Sequence, residues 1–474
     1  MRSLDLRLSD LRYTGMTAEE VSAADGVAGP GDLLFTRYNG NPDYVGVCAR
    51  VPDSAPVLTY PDKLIRAQFP ETLVDTRYVA YSWAWQETAR QLRTHLKTTA
   101  GQTGISGTSL KSIAIPLAPL GEQHRIADAL DERLARLEKI ETHLVSTQQR
   151  LEQLRGMVMA AAAIGVLAWD ADPQHMPIDG SPSVNDGTLP PLATGWRWAR
   201  LHEVAEVVGG VTKDSKNQHD PALTEVPYLR VANAQRARLE LSQVAKIRVA
   251  SMTLEKLRLR DGDLLMTEGG DRDKLGRGWI WEGQIEDCIH QNHLFRARIQ
   301  KRATRPKLLG WYVNSTARAW FEGNGKQSVN LASISISKVK LLPVPVPPAD
   351  EQEQADFVEL GERVLARLDR LATACEKGLT HTATLRRTLL TEAFTGRLVP
   401  QDPEDESAED LLKKIRAERE AAETERKAAR RAAAQTKRKS RAEPHAPAPS
   451  DAPPASDIPL PEGEQATLPM EFTA

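Results

Sequence analysis

Cysteine is scarce: Cys48, Cys288 and Cys375 are the only three in 474 residues, odd in number and far apart. Such a set supports neither a disulfide framework nor a cysteine-rich zinc site, and it fits a reducing cytoplasm. Long apolar runs are missing too. No stretch approaches the ~20 residues that span a bilayer, and the opening MRSLDLRLSDLRYTG alternates charge with leucine and lacks the apolar core of a secretory signal. A cytoplasmic protein without membrane contact is expected. Excess charge of either sign is absent, with 62 Lys+Arg against 64 Asp+Glu. A nucleic-acid partner remains open, because only a local basic face is needed.

Catalytic signatures are also lacking. No GxxxxGK[ST] phosphate cradle and no HExxH occur among the residues. Gly101, Gly104 and Gly107 have no flanking Rossmann strand and acidic partner. His290 and His293 are three apart in IHQNHLF; they could share a metal, but no third ligand is evident and turn residues before a strand are the simpler reading. No catalytic, cofactor-binding or metal-binding residue is assigned. The length allows about two to four domains, each able to bury its own core.

What the sequence does have is an internal repeat. GDLLFTRYNG at 31–40 matches GDLLMTEGGD at 262–271, which sets Asp32 opposite Asp263, 231 residues on. KLIRA at 63–67 faces HLFRA at 293–297, IPLAPLGEQ at 115–123 faces VPVPPADEQ at 344–352, and LARLE at 134–138 faces LARLD at 365–369. Solenoid repeats run about 20–50 residues, so this is duplication of a whole module plus a helix. Strands are expected at 227–233, 262–267 and 293–299, between Gly, Asp and Asn turns. GDLL reads as a turn leading into a buried strand. Residues 196–231 of the second copy map to positions before Met1, so the first module is expected to be N-terminally incomplete.

Each module leads into a long helix, over 123–164 and 352–394. In the first, Leu130, Leu137, Leu144 and Leu151 recur every seven residues with Ile140 and Leu154 interleaved, a coiled-coil seam. The second has Gly361, Leu368, Cys375 and Thr382, with Val364, Leu371 and Leu385 beside them. Asp350 and Glu353 form a capping box at its start. Neither helix can bury its seam alone, so an antiparallel pair acting as a spacer is expected. The fold class is α+β: two mixed α/β modules joined by two long helices.

The domain boundaries follow: a first module at 1–118, its helix at 119–167, a Pro/Gly/Ser-rich linker at 168–195, a second module at 196–346 and its helix at 347–400. A basic helical extension occupies 401–441, with Ser407 and Asp410 capping a helix over 411–439, and a Pro/Ala-rich tail at 442–474 reads as disordered.

With these motifs in order and duplicated, the chain resembles the DNA-specificity subunits of Type I restriction-modification systems. The resemblance rests on IPLAPLGEQHRIADALDERLARLEKI, on VPVPPADEQ, on the closing AIGVL and TEAFTGRLVP, and on WRWARLHEVAEVVGG followed by PYLRVAN and GDLLMTEGG. It covers about residues 28–167 and 196–400. It implies a non-catalytic subunit whose two target-recognition domains read the halves of a split site on double-stranded DNA while the helices fix the spacing. It also implies two modification subunits as partners, which carry S-adenosylmethionine and methylate adenine, and which restriction subunits can join.

Base readers are sought among Arg, Lys, Asn and Gln on loops and strand ends. In the first module Arg37, Tyr38 and Asn39 follow the GDLL strand, and the stretch at 98–104 offers Gln102 with Thr98, Thr99 and Thr103. In the second, Arg272, Lys274 and Arg277 follow GDLL, and 322–330 offers Lys326, Gln327 and Asn330. Ordinary loop solvation is the competing reading of each cluster. For the whole chain the competitors are a scaffold joining two protein-binding modules and a metal-dependent nuclease.

Overall fold

The Asp of each GDLL motif folds back on its own turn. Asp32 accepts a hydrogen bond from the Gly29 amide at 2.9 Å and Asp263 from the Arg260 amide at 2.7 Å, and both aspartates are buried. Gly31 and Gly262 supply the left-handed residue just before, at φ +82° and +84°. The chain then enters the fully buried strands Leu33–Thr36 and Leu264–Thr267. The motif is thus a turn that launches a core strand.

The computed structural model describes residues 3–9, 11–17, 19, 27–56, 58–99, 101–167, 183–300, 303–328, 331–348 and 350–440. Asn330, residues 168–182 of the linker and the tail from 442 lie outside them. Two compact units are present: Met1–Ala127 with Val399–Ala474, and Asp128–Leu398.

In the first unit Leu33–Thr36 is the middle strand of three, between Cys48–Arg50 and Leu64–Ala67, both antiparallel. In the second, Leu264–Thr267 lies between Gly278–Ile280 and Leu294–Ile299 in the same register: Leu33↔Ala67 becomes Leu264↔Ala297. The second sheet has a fourth strand, Ala205–Gly209, outside Leu294–Ile299. That strand lies within residues 196–231, which the repeat offset of 231 maps to positions before Met1. The same segment supplies Arg197–Arg200, which pairs with Pro343–Val346. Around Ala114, at the matching place in the first unit, a side chain substitutes: the Ala114 amide donates to Gln91 Oε1 at 3.1 Å and the Gln91 amide nitrogen donates back to the Ala114 carbonyl at 3.2 Å.

The two long helices are Leu120–Ala163 and Glu351–Phe394, 44 residues each, which at 1.5 Å per residue is about 66 Å. Asp350 caps the second, accepting from the Gln352 and Glu353 amides at 2.8 and 3.0 Å. Gln123 and Gln354 are buried and donate to the Ala118 and Pro348 carbonyls, each at 2.8 Å. These two glutamines are therefore equivalent, and the second copy carries two extra residues between its prolines and its helix.

Within the second unit the helices run in opposite directions. Gly361 faces Ala162, Asp369 pairs with Arg155, Gly378 touches Leu144, and Arg386 pairs with Glu141. As numbers rise along one helix they fall along the other. Leu130, Leu137 and Leu151 are buried, while Leu144, Val364 and Leu368 are half-buried. Ile140, Leu154, Leu371 and Leu385 are 47%, 46%, 54% and 38% exposed. The expected interleaved row is therefore corrected: it lies one residue later on the second helix, at Leu365, Ala372, Leu379 and Arg386, and at Leu134, Glu141, Gln148 and Arg155 on the first. Leu137→Asp is accordingly expected to cost about 3 kcal/mol through an unpaired buried carboxylate, and Ile140→Asp within about 0.5 kcal/mol. Thermal melts followed at 222 nm check this, and equal losses from both would contradict the observed seam.

The second module's core joins the ends of both helices. Trp196 packs edge-on against Phe357, and Trp311 lies against Gly361, where a Cβ would come within 2.7 Å of the ring. His290, wholly buried, bonds the Leu294 carbonyl through Nδ1 at 2.9 Å, and burial pushes its pKa down to about 4. The unfolded chain takes up this proton below about pH 6.5, the folded chain only near 4. Stability is therefore lost as pH falls through that window, by roughly 3 kcal/mol. Urea midpoints across pH 4–7 should show this slope, and His290→Asn, which keeps the donor, should flatten it; an unchanged slope in the variant would assign the effect elsewhere.

The C-terminal helix, Ala408–Ser440, is capped by Ser407, whose hydroxyl accepts from the Asp410 amide at 3.2 Å. It begins three residues before the expected 411. Leu411 is buried, and Ile415 packs on the first unit's core of Leu33, Phe35, Leu110 and Ile113.

Candidate nucleic-acid interface

The clusters singled out after each GDLL strand are gathered by a second, smaller sheet. In the first module Tyr38–Asn39 pairs with Gln102–Gly104, which pairs with Lys97–Thr99. Arg37, Tyr38, Asn39 and Gln102 thus come from 63 or more residues apart in sequence to one surface. In the second module Gly269–Gly270 pairs with Ala332–Ser333, and that with Lys326–Gln327. The strand order is the same.

Each small sheet borders a cleft, and the two clefts occupy the same place in the repeat. The first is lined by Arg37, Tyr38, His95, Lys97, Gln102 and Ser106 among others. The second is lined by Glu268, Asn324, Lys326, Ser333, Ser335 and Lys338 among others. By position, Arg37 corresponds to Glu268, Lys97 to Lys326, His95 to Asn324 and Ser109 to Lys338. The frame is kept and the chemistry is changed. One cleft presents a guanidinium where the other presents a carboxylate.

Local bonds position these groups. The Tyr38 hydroxyl donates to Asp62 at 2.7 Å, and that hydrogen bond raises its pKa. Asn39 Oδ1 accepts from the Asn41 amide at 2.9 Å, bending the chain into the turn Pro42–Tyr44. Lys97, Gln102 and Arg37 are exposed. In the second module Gly269 and Gly270 stand where Tyr38 and Asn39 do, and a Cβ on Gly269 would meet the Ala332 carbonyl oxygen at 3.0 Å. That strand therefore offers backbone rather than side chains. Glu268 lies 2.6 Å from His293 Nδ1.

The remaining candidates divide by how their polar groups are used. Arg272 donates from Nε and a terminal nitrogen to the Glu322 carbonyl at 3.2 and 3.0 Å, tying the turn to the helix Arg318–Asn324. Lys274 pairs with Asp271. Arg277 is half-buried, with its Nε enclosed and unbonded. Lys326 and Gln327 are exposed on an outer strand. Sequence reasoning did not single out Arg236 and Arg318. Arg236 donates to the Asp273 and Asn314 carbonyls, and its pKa is lowered by burial and by Arg318 and Arg277 nearby. Nothing in the repeat pattern marks Arg236, because its neighbours arrive from three distant segments.

His290 and His293 go to separate partners, the Leu294 carbonyl and Glu268. Among the described residues no group of three or more His, Cys, Asp or Glu is placed to hold a metal ion, and no helix is long and apolar enough to cross a membrane.

No protein-family profile matches the sequence. The chain is 26% identical over 366 residues to the Type I restriction enzyme EcoKI specificity subunit of Escherichia coli K12, covering 74% of each protein. It is 26% identical over 404 residues to the StySPI specificity subunit of Salmonella potsdam, covering 82% of this chain and 81% of that one. A solved chain described under complex assembly and conformational transition of the type I R-M system shares the fold, with a TM-score of 0.59 at 18% identity over 78% of this chain and 83% of that one. Over most of its length the chain is homologous, at moderate identity, to Type I restriction-modification specificity subunits.

Proposed function

We propose that this chain is a non-catalytic DNA-specificity subunit that directs an adenine methyltransferase complex to a split target, each module reading one half. The observation that carries this is the pair of clefts built at the same place in the repeat and lined differently. Two copies of one reader with different side chains suit two different half-sites. Arg37, Lys97 and Gln102 in one cleft and Lys326 and Lys338 in the other are donors of the kind that meet base edges and phosphates. Arg272, exposed and tied through Nε and one terminal nitrogen to the Glu322 carbonyl, is held in place beside that cleft.

The long helices set the number of unread base pairs between the halves, each being longer than the ~34 Å helical turn of DNA. They also dock the modification subunits, which bring S-adenosylmethionine; a restriction subunit joins in the full complex. Ile140 and Leu154 on one helix and Leu371 and Leu385 on the other precede seam positions by one residue. In an antiparallel pair such positions face the same side, so the four exposed side chains form an apolar strip that a partner helix can cover.

The test is adenine-methylation mapping of DNA from cells expressing the chain with its cognate modification subunit, and from cells lacking the chain. A split motif appearing only with the chain is expected. A stable complex without sequence-specific methylation would sink the reading, and failure to form a complex would favour a protein-binding scaffold.

A further inference from the structure

The turn after the second GDLL strand collects more positive charge than it neutralises. Leu275 is buried, a Cβ on Gly325 would meet its side chain, and one on Gly276 would meet the Phe321 ring. These contacts press the turn Arg272–Lys274 onto the helix Arg318–Asn324. Arg236 reaches the same place from a distant segment, through the Asp273 carbonyl. Arg236, Arg272, Lys274, Arg277 and Arg318 therefore share one region of the second module. Arg318 is neutralised by Glu322 at 2.7 Å, and Lys274 by Asp271.

The other three are not. Arg236 donates to the Asp273 and Asn314 carbonyls and Arg272 to the Glu322 carbonyl; such neutral partners hold a guanidinium in position and leave its charge in full. Arg277 is half-buried with its Nε enclosed and unbonded, and no hydrogen-bond or ion-pair partner for its guanidinium is found among the described residues. Asp273 is the one acid of the turn left to oppose these three charges. A half-buried cation without a partner is costly to the free protein, and an arriving anion offsets that cost. The frame itself does not require it. The Thr267 amide donates to the Arg277 carbonyl as the Thr36 amide donates to that of Val47 in the first module, so valine serves the same backbone role. Thr267 in turn precedes Glu268, which lines the second cleft.

We propose that Arg277, flanked by Arg236 and Arg272, seats one phosphate of the duplex DNA backbone beside the second cleft and so sets the register in which that module meets its half-site. The proposal rests on the DNA-targeting reading above and adds to it a contact that carries no sequence information. The clefts read bases. The seat positions the duplex for one of them, and the planar fork of arginine suits the paired oxygens of a phosphate.

The test uses the full chain assembled with its modification subunit, as wild type, Arg277→Gln, Arg277→Lys and Arg277→Val, the last installing the residue that the first module already accommodates. Binding to fluorescent duplexes, one with the mapped motif and one scrambled, is followed by anisotropy from about 50 to 300 mM salt, where one lost phosphate contact lowers the slope of log K against log salt by about 0.9. The Gln and Val variants are expected to lose that much slope and roughly tenfold in affinity, uniformly across single changes in the motif, while the Lys variant keeps the slope. A single neutral methylphosphonate moved along the second half-site should weaken wild type at one position and leave the Gln and Val variants unaffected there. Unchanged slopes in both neutral variants overturn the seat, as does relaxation of one base in their mapped motif, which would make Arg277 a base reader. Inorganic phosphate that raises the melting temperature of wild type but not of the variants, with DNA slopes equal, assigns the site to the free ion and overturns the DNA source. If wild type directs no motif but the slopes on the scrambled duplex still differ, the targeting reading fails and the seat stands.

Discussion

Replacing Arg37 with Ala is expected to relax one half of the methylated motif and leave the other half as it was, while Lys326→Ala does the reverse. Both side chains are exposed and each lines its own cleft, so truncation removes a donor without opening a core. A well-placed contact to a base edge discriminates by about 1–3 kcal/mol, which corresponds to roughly a 5- to 150-fold change in methylation of sites altered at a single position. Motif mapping of the two variants reads this directly. Equal weakening at both halves would mean that the residues touch phosphates only. An unchanged motif in both would remove the clefts from base reading altogether.

A far larger structural effect is expected from Gly278→Ala. Gly278 sits on the outer strand of the second module's sheet opposite Met266, and a Cβ there would lie 1.7 Å from the Leu265 carbonyl oxygen. Backbone cannot give way as a flexible side chain does. Asn314 also clamps the residue, accepting from its amide at 3.3 Å and donating to its carbonyl at 2.8 Å. One methyl group must therefore separate two strands, a loss beyond about 4 kcal/mol. Cys48, at the matching position opposite Phe35 in the first module, already carries a Cβ, so Cys48→Ala should cost no more than about 1–2 kcal/mol. Limited proteolysis and urea melts distinguish the two, and comparable stability of both variants would refute the argument.

Why some of this was legible in sequence and some not can be traced to particular residues. The long helices were readable within three residues at either end, because seven-residue recurrence at Leu130, Leu137 and Leu151 reports a one-dimensional property of the chain. The interleaved row was misplaced because polar residues fill half of it. Glu141 and Arg386 pair across the helices, so counting apolar residues selects Ile140 and Leu385 next door. GDLL was correctly read as turn plus strand, since its glycine and aspartate act locally. The clefts were out of reach: Tyr38 meets Gly104 and Gly269 meets Ser333 only through long-range pairing. The division of labour among Arg272, Lys274 and Lys326 depends likewise on where the Glu322 carbonyl ends up.

The Gln91 amide at Ala114 has a consequence for how the protein behaves in a crowded solution. A backbone segment that offers an unmet donor and acceptor side by side is a template on which another chain can add itself as a strand. Gln91 occupies both groups of Ala114 at once and the Tyr78 hydroxyl takes the Pro116 carbonyl, so side chains block strand addition at that stretch where the second module uses an entire strand to do so.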